Sequence, residues 1–344
     1  VPRDPRATDS LQSVILTWDN LAMKHKERIE DYVCLRYKQR EEEEVFEEVK
    51  TLRTEMENSK TKGLDKLSTP GVLELINAED HLVAPAVKAA LPEITKATED
   101  MMVSLRAGGR IVHVGAGASG RVAVADSTEM TSTFSVPYWR FIGVIAGGPG
   151  SAVRSSPGAE DNEVWAEWDM KALNLTPNDM VIGLSASGRA PYVRAALKFA
   201  KGKGCRTALI TTNPERKDDE SFIDTVIMAD VGPEVIAGST RMKSMQAQLM
   251  IVHMMSTAAM VRLGKTYGNI MVDVCAATEK LVQRAKKIVM LMTGLDYEKA
   301  TELLVRAGGS AKVAIVMHRK GVERLEARRI LAENNGFLRG ALGE

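Results

Sequence analysis

Three observations predict an α/β fold built on a five-stranded parallel sheet with helices on both faces. Short runs of strand length alternate with helically periodic segments through the middle of the chain. Those runs are apolar throughout and do not alternate with polar residues. Two of them lead into nearly identical Gly/Ser turns that open helices. Such alternation is the signature of βαβ units, and a strand apolar on both sides is buried on both sides. A helical extension is expected before this region and a small helical domain after it.

The elements follow in order. Residues 1–53 are rich in charge and poor in Gly. Leu11, Val14, Ile15, Trp18 and Leu21 recur at helical spacing, as do Val45, Val49, Leu52 and Met56. Two or three partly exposed helices are expected, with Glu41–Glu44 as a solvated face. Thr69-Pro70 is a helix-start signal, capped by Ser68 or Thr69 and running to Asn77. A second helix is read from Ala84 to Leu105, stopped by Gly108-Gly109. The strands are Ile111–Val114, Phe141–Ile145, Met180–Leu184, Thr207–Ile210 and Thr225–Met228, with helices over Val122–Met130 and Pro191–Lys201 between them. A long Met- and Ala-rich helix follows over Thr240–Leu263, its methionines serving as core filler. Short helices over 277–292, 297–306, 310–317 and 321–334 complete the chain, separated by Gly308-Gly309 and similar breaks.

Composition excludes several function classes. The 344 residues carry 46 Lys+Arg against 45 Asp+Glu, a net charge of +1, so no broad basic face awaits a nucleic acid. The longest apolar stretch, Leu249–Val261, is interrupted by His253 and is too short to span a membrane. Cys34, Cys205 and Cys275 are odd in number and far apart, which implies no disulfide framework and a reducing compartment. The five histidines are scattered without zinc spacing. No metal or other cofactor is expected. A cytoplasmic setting follows. The first residue, Val1, leaves open an organelle matrix reached after removal of a targeting peptide.

The chemistry gathers at the strand ends. Gly115-Ala116-Gly117-Ala118-Ser119-Gly120-Arg121 satisfies the dinucleotide fingerprint, but the second strand ends Ile145-Ala146-Gly147-Gly148 without the acidic residue that would hold a ribose. More informative is a repeat: Ala118-Ser119-Gly120-Arg121 returns as Ala186-Ser187-Gly188-Arg189, each time after a strand and before a helix. Backbone N–H groups at a helix start, a small hydroxyl and a nearby Arg make an anion site suited to the phosphate of a small molecule. Gly238-Ser239-Thr240-Arg241-Met242-Lys243 is a third hydroxyl-plus-cation helix start. Two carboxylates, Glu129 and Glu160, stand near these turns in sequence, within reach of the sheet edge where α/β proteins bind ligands. Sequence spacing alone leaves both equally readable as surface residues.

In chain order, GAGASGR at 115–121, IAGG at 145–148, GAED at 158–161, ASGRAPYV at 186–193, GSTRMK at 238–243, GKTYGNIMVDV at 264–274 and EKL at 279–281 resemble the N-acetylmuramic acid 6-phosphate etherases. These are sugar-isomerase (SIS) fold proteins that share their fold with the glucokinase-regulatory proteins. The resemblance covers about residues 54–344, beginning at Thr54-Glu55. It implies an SIS-type αβα sandwich over 54–275 and a small C-terminal helical domain over 276–344; the helical extension read over 1–53 lies outside it.

It further implies cleavage of the D-lactyl ether of N-acetylmuramic acid 6-phosphate to N-acetylglucosamine 6-phosphate and D-lactate, with no metal. Glu129 and Glu160 would be the acid/base pair. Gly117, Ser119, Gly120, Arg121, Ser185, Ser187, Gly188, Arg189, Ser239, Arg241 and Lys243 would bind substrate. A homodimer is implied, with the site completed across its interface. The chain departs from the family pattern at Ala118, which replaces a Thr, and at Met130-Thr131-Ser132, which replaces Cys-Pro-Pro. It also departs at Ser244-Met245-Gln246, in place of Ala-Gly-Thr, and at Ala277-Thr278, in place of Thr-Asn. Two other readings stay open: a non-catalytic phosphosugar-binding regulatory protein, and a structural subunit of a larger assembly with residues 1–53 contacting another protein.

Overall fold

A computed structural model describes residues 46–47, 49–214, 220–274 and 278–344. Most of the helical extension expected over 1–53, with Cys34, and Cys275 lie outside the described residues; of the expected Val45–Met56 helix, 46–47 and 49–50 are helical but 51–56 turn instead of continuing it. The sheet contains β1 (Ile111–Gly115), β2 (Phe141–Ile145), β3 (Met180–Leu184), β4 (Arg206–Thr211) and β5 (Thr225–Met228). All pairings are parallel and the order is β2-β1-β3-β4-β5. Each strand coincides with an expected run to within a residue or so at each end.

The helices before and within the sheet are α1 (Thr69–Asp80), α2 (Val83–Ala89), α3 (Leu91–Arg106), α4 (Gly117–Phe134), α5 (Glu163–Ala172), α6 (Pro191–Gly202) and α7 (Lys243–Arg262). The single helix expected over 84–105 is two. Pro92 sits in the first turn of α3, and without an N–H it cannot continue the hydrogen-bond ladder of α2 across Ala90. Gly109 ends the run for a second reason. A Cβ there would lie 1.9 Å from the Asn178 carbonyl oxygen, so two backbones meet where no side chain fits.

Strand residues alternate between two cores because successive side chains point to opposite faces. Ile111, Ile182, Leu184, Ala208, Ile210 and Ile227 pack with α2, α3, α4 and α7. Val112, Val114, Val181 and Leu209 pack with α5 and α6 on the other face. Of the α7 methionines, Met255 and Met260 fill the core as expected, while Met250 and Met254 are each 36% exposed on the outer face.

At the sheet's lower edge Asp179, 1% exposed, receives Arg110 Nε at 3.1 Å, Arg110 Nη2 at 2.7 Å and the Arg110 N–H at 2.7 Å. Burial alone would raise the Asp179 carboxyl. The Arg110 and Thr176 hydrogen bonds outweigh it and hold that carboxyl below the usual carboxylate range.

The tail forms α8 (Glu279–Thr293), α9 (Tyr297–Arg306), α10 (Ala311–Lys320), α11 (Arg324–Glu333) and α12 (Leu338–Leu342) around its own apolar core. The short α12 has no counterpart among the expected helices. Val272 and Val274 already belong to this core. Lys312 ties it to the preceding segment by donating to the carbonyls of Gly264 (2.9 Å) and Gly336 (3.0 Å) and to Asp273 (3.2 Å). Among the described residues no helix is long and apolar enough to cross a membrane.

Candidate active site

The strand order places the site. The connections leaving β1 and β3, which are neighbours in the sheet, go to opposite faces: α4 joins the core of α2, α3 and α7, and α6 joins that of α5. A crevice opens beyond the carboxyl ends of such strands at the point where the winding reverses. A cleft of about 310 Å³ lies there. Its walls are Ala116–Ser119 after β1, Leu184–Ser187 and Ala190 after β3, Gly238 and Thr240 before α7, and Glu160, Thr54 and Glu55.

The first turn is shaped by two glycines whose close approaches leave no room for a Cβ. A Cβ on Gly120 would stand 2.5 Å from Ile145 Cγ1 and 2.7 Å from the Gly115 oxygen, and one on Gly115 would stand 2.7 Å from the Gly120 nitrogen. Strand end and helix start therefore lock together. Gly117, at φ +53°, starts α4. The first N–H groups of an 18-residue helix then face the cleft beside Ser119, with the positive end of the helix dipole.

The second turn is stitched internally. The Gly188 N–H donates to the Ser185 carbonyl (3.0 Å), the Arg189 N–H to Ser187 Oγ (3.2 Å) and the Ala190 N–H to Ser185 Oγ (3.4 Å). Behind it the Tyr192 hydroxyl donates to Asp169. Burial pushes the Asp169 carboxyl up to about 6, although that hydrogen bond works to lower it.

Glu160 reaches the cleft from the turn Ala159–Asp161, anchored by Ala159, which is 3% exposed. The side chain stays open to solvent along the cleft, yet the walls crowd its carboxyl. Burial, then the charge of Asp161, then that of Glu55 all push its proton affinity above that of an ordinary Glu.

Of the residues expected to form the site, Gly117, Ser119, Ser185, Ser187 and Glu160 line the cleft. Others do not. Gly120 and Gly188 shape their turns without lining it. Arg121 does not line the cleft and donates from Nε to the Ala152 carbonyl at 3.1 Å. Arg189, Ser239 and Arg241 lie off the lining. Lys243 is fully buried and bonds to Glu79, so its place in the expected substrate-binding set is corrected. The ammonium helps anchor α1 to the start of α7 and cannot reach a ligand.

Glu129 is exposed on the far part of α4, accepting from Ser132 Oγ at 3.2 Å. Three helical turns separate it from Ser119, so within this chain the two expected carboxyls do not share one cleft. Met130 is buried in the core and Met245 packs against it. Neither lines the cleft. Thr54, Glu55 and Thr240 were missed as lining residues. Thr54-Glu55 marked the start of the resemblance, but nothing in local sequence tells how a segment before α1 folds back to the sheet edge.

The model of the glucokinase regulatory protein N-terminal SIS domain matches residues 93–201, and that of the SIS domain matches 163–258. A protein of Salmonella typhi named N-acetylmuramic acid 6-phosphate etherase is 45% identical over 292 residues, covering 85% of this chain and 98% of that protein. One of the same name from Serratia proteamaculans (strain 568) is 45% identical over 291 residues, with the same coverage. Among solved structures, a phosphoheptose isomerase from Neisseria gonorrhoeae has a TM-score of 0.39 at 18% identity, covering 55% of this chain and 98% of its own. At 45% identity across nearly the full length of these relatives, the chain belongs to the N-acetylmuramic acid 6-phosphate etherase family.

Proposed function

We propose that this protein cleaves the D-lactyl ether of N-acetylmuramic acid 6-phosphate, releasing D-lactate and N-acetylglucosamine 6-phosphate. The observation that carries the reading is the placement of the crowded Glu160 carboxyl in one cleft with the Ser119 and Ser187 turns. The phosphate is held by N–H groups at the start of α4 and by the hydroxyls of Ser119, Ser185 and Ser187, since no Lys or Arg lines the cleft among the described residues.

The reaction suits such a site. In the ring-opened sugar the carbon-1 aldehyde acidifies the proton on carbon 2. Removing that proton breaks the carbon 3–oxygen bond, and the departing lactyl oxygen takes a proton. Water then adds at carbon 3 while a proton returns to carbon 2. Each step needs a group that gives or takes a proton near neutral pH. Glu160, whose proton affinity burial and the charges of Asp161 and Glu55 raise above that of an ordinary Glu, is placed to take this part.

Glu129 lies outside the cleft of its own chain, and in the homodimer that the family resemblance implies it would serve in the cleft of a second copy. The reducing surroundings suggested by cysteine usage suit a cytoplasmic enzyme. Purified full-length protein is expected to release D-lactate from N-acetylmuramic acid 6-phosphate. Saturable binding of that sugar without D-lactate release would instead establish a non-catalytic binding protein.

A further inference from the structure

We propose that Glu55 is a second carboxyl of this site: a strap formed by residues 52–61 sets it into the cleft with Glu160, and it acts on the reaction through Glu160. The proposal deepens the etherase reading and rests on it.

The strap is built with a precision that an ordinary surface carboxylate does not need. The Arg53 N–H donates to Asn213 Oδ1 at 3.0 Å, and the Gly238 N–H to the Thr54 carbonyl at 2.8 Å. Asn58 Nδ2 donates to Glu79 at 2.8 Å and to the Pro233 carbonyl at 3.2 Å, and Thr61 Oγ1 to the Val235 carbonyl at 2.9 Å. Leu52, 6% exposed, adds an apolar anchor. These ties flank Glu55 on both sides: the Asn58–Glu79 bond joins the strap to α1, the Arg53 bond reaches Asn213 after β4, and the bonds with Gly238, Pro233 and Val235 reach the segment before α7. Gly238 completes the seat. Its φ is +77°, and a Cβ there would stand 3.0 Å from Glu55 Oε2.

Among the described residues lining the cleft, Glu55 and Glu160 are the sole ionisable side chains. Glu55 has no Lys or Arg partner among the described residues. Its hydrogen bond comes from Thr54 Oγ1 at 3.4 Å. Around Glu160, Asp161 presents a like charge from the same turn and Glu55 one from the strap. On α6, which packs against that turn, Arg194 is taken up by Glu220 and by the Phe222 ring. On α4, Arg121 turns to the Ala152 carbonyl. Arg189 lies off the cleft lining. A like charge in a partly desolvated site favours the protonated neighbour. Glu55 therefore helps keep Glu160 able to donate a proton at a pH where an ordinary Glu would have lost it. Glu55 is a positioning residue in this sense, and its effect is electrostatic.

The test compares wild type with E55Q, E55D, G238A and the control E57Q, whose side chain pairs with Lys62 at 3.2 Å outside the cleft. Two readouts are taken: the pH profile of kcat/KM for D-lactate release, and the Glu160 carboxyl titration followed by carbon NMR in the free protein. In E55Q the Glu160 titration and the matching limb of the profile are expected to move to lower pH by about half a unit to one unit. G238A, which pushes the carboxyl from its seat, should shift them the same way. E55D and E57Q should stay near wild type.

An unmoved Glu160 titration in folded E55Q, or an equal shift in E57Q, overturns the proposal. Should E55Q fail to fold, G238A against E57Q decides by the same criterion. If wild type releases no D-lactate, the etherase reading falls, and the Glu160 titration still judges Glu55 by itself.

Discussion

Lys243 Nζ lies 2.6 Å from Glu79 Oε2 with both side chains closed off from solvent, at 1% and 4% exposure. Asn58 donates to the same carboxylate at 2.8 Å. Burial would raise Glu79, but the hydrogen bonds from Lys243 and Asn58 hold it below the ordinary Glu range. One turn away Glu234 accepts from the N–H groups of Lys243 (3.0 Å) and Ser244 (2.9 Å), capping α7. The RMK motif therefore anchors the helix start that carries Thr240 to the cleft. K243A removes the buried ammonium and leaves Glu79 with the exposed Lys60, 3.5 Å away, as its remaining cation; it is expected to lower unfolding stability by up to about 3–5 kcal/mol in chemical denaturation. A variant that kept full stability and only raised KM would return Lys243 to the substrate.

Glu129 and Glu160 make a second prediction. If each cleft takes Glu160 from one chain and Glu129 from another, E129Q and E160Q are each inactive as pure dimers. Mixed by joint refolding, half the dimers carry one of each variant and hold one intact site. About a quarter of wild-type D-lactate release should then return. A fully active E129Q would show that the cleft works without that residue.

Gly120 tests how the turn proposed to hold the phosphate is built. G120A must push against Ile145 and the Gly115 carbonyl, and overpacking of this kind costs about 1–3 kcal/mol. The turn that presents Ser119 shifts with it, so phosphosugar affinity should fall as well. G150A, with nothing within 4 Å of the added methyl, should leave both unchanged. Thermal denaturation and sugar-phosphate titration read the two effects.

Asp169 carries a pH signature. Its folded value, about 6, lies above the ordinary carboxylate value of 3.8. A group raised in the folded state stabilises fully below its unfolded value, and that contribution is lost as pH rises through the folded one. The Tm of wild type relative to D169N should therefore fall between about pH 4 and 6 and level off above. A constant difference over that window would show that the carboxyl is not buried against Tyr192 as the structure has it.

Much of the fold is legible in local sequence because its determinants are local. Five apolar runs of strand length appear as five strands, and Pro70 and Pro191 mark the first turns of α1 and α6. The break at Ala90 was also written locally, in Pro92, but the apolar periodicity on either side of it reads through. The hydroxyl turns were legible because each is a contiguous motif between a strand end and the helix it opens.

What the sequence determined by itself is the five strands and most of the helices, the family, and the turns at 117–119 and 185–187, since propensity, periodicity and turn chemistry act over a few residues. What only the tertiary structure decided is which charged side chains face the cleft. Arg121 and Lys243 sit inside binding-like motifs, yet one bonds to a loop carbonyl and the other to a carboxylate 164 residues away. Glu55 lies far from either turn in sequence and reaches them through the strap. A long flexible side chain goes where its charge is best paired and its stem best buried, and that depends on the whole packed molecule.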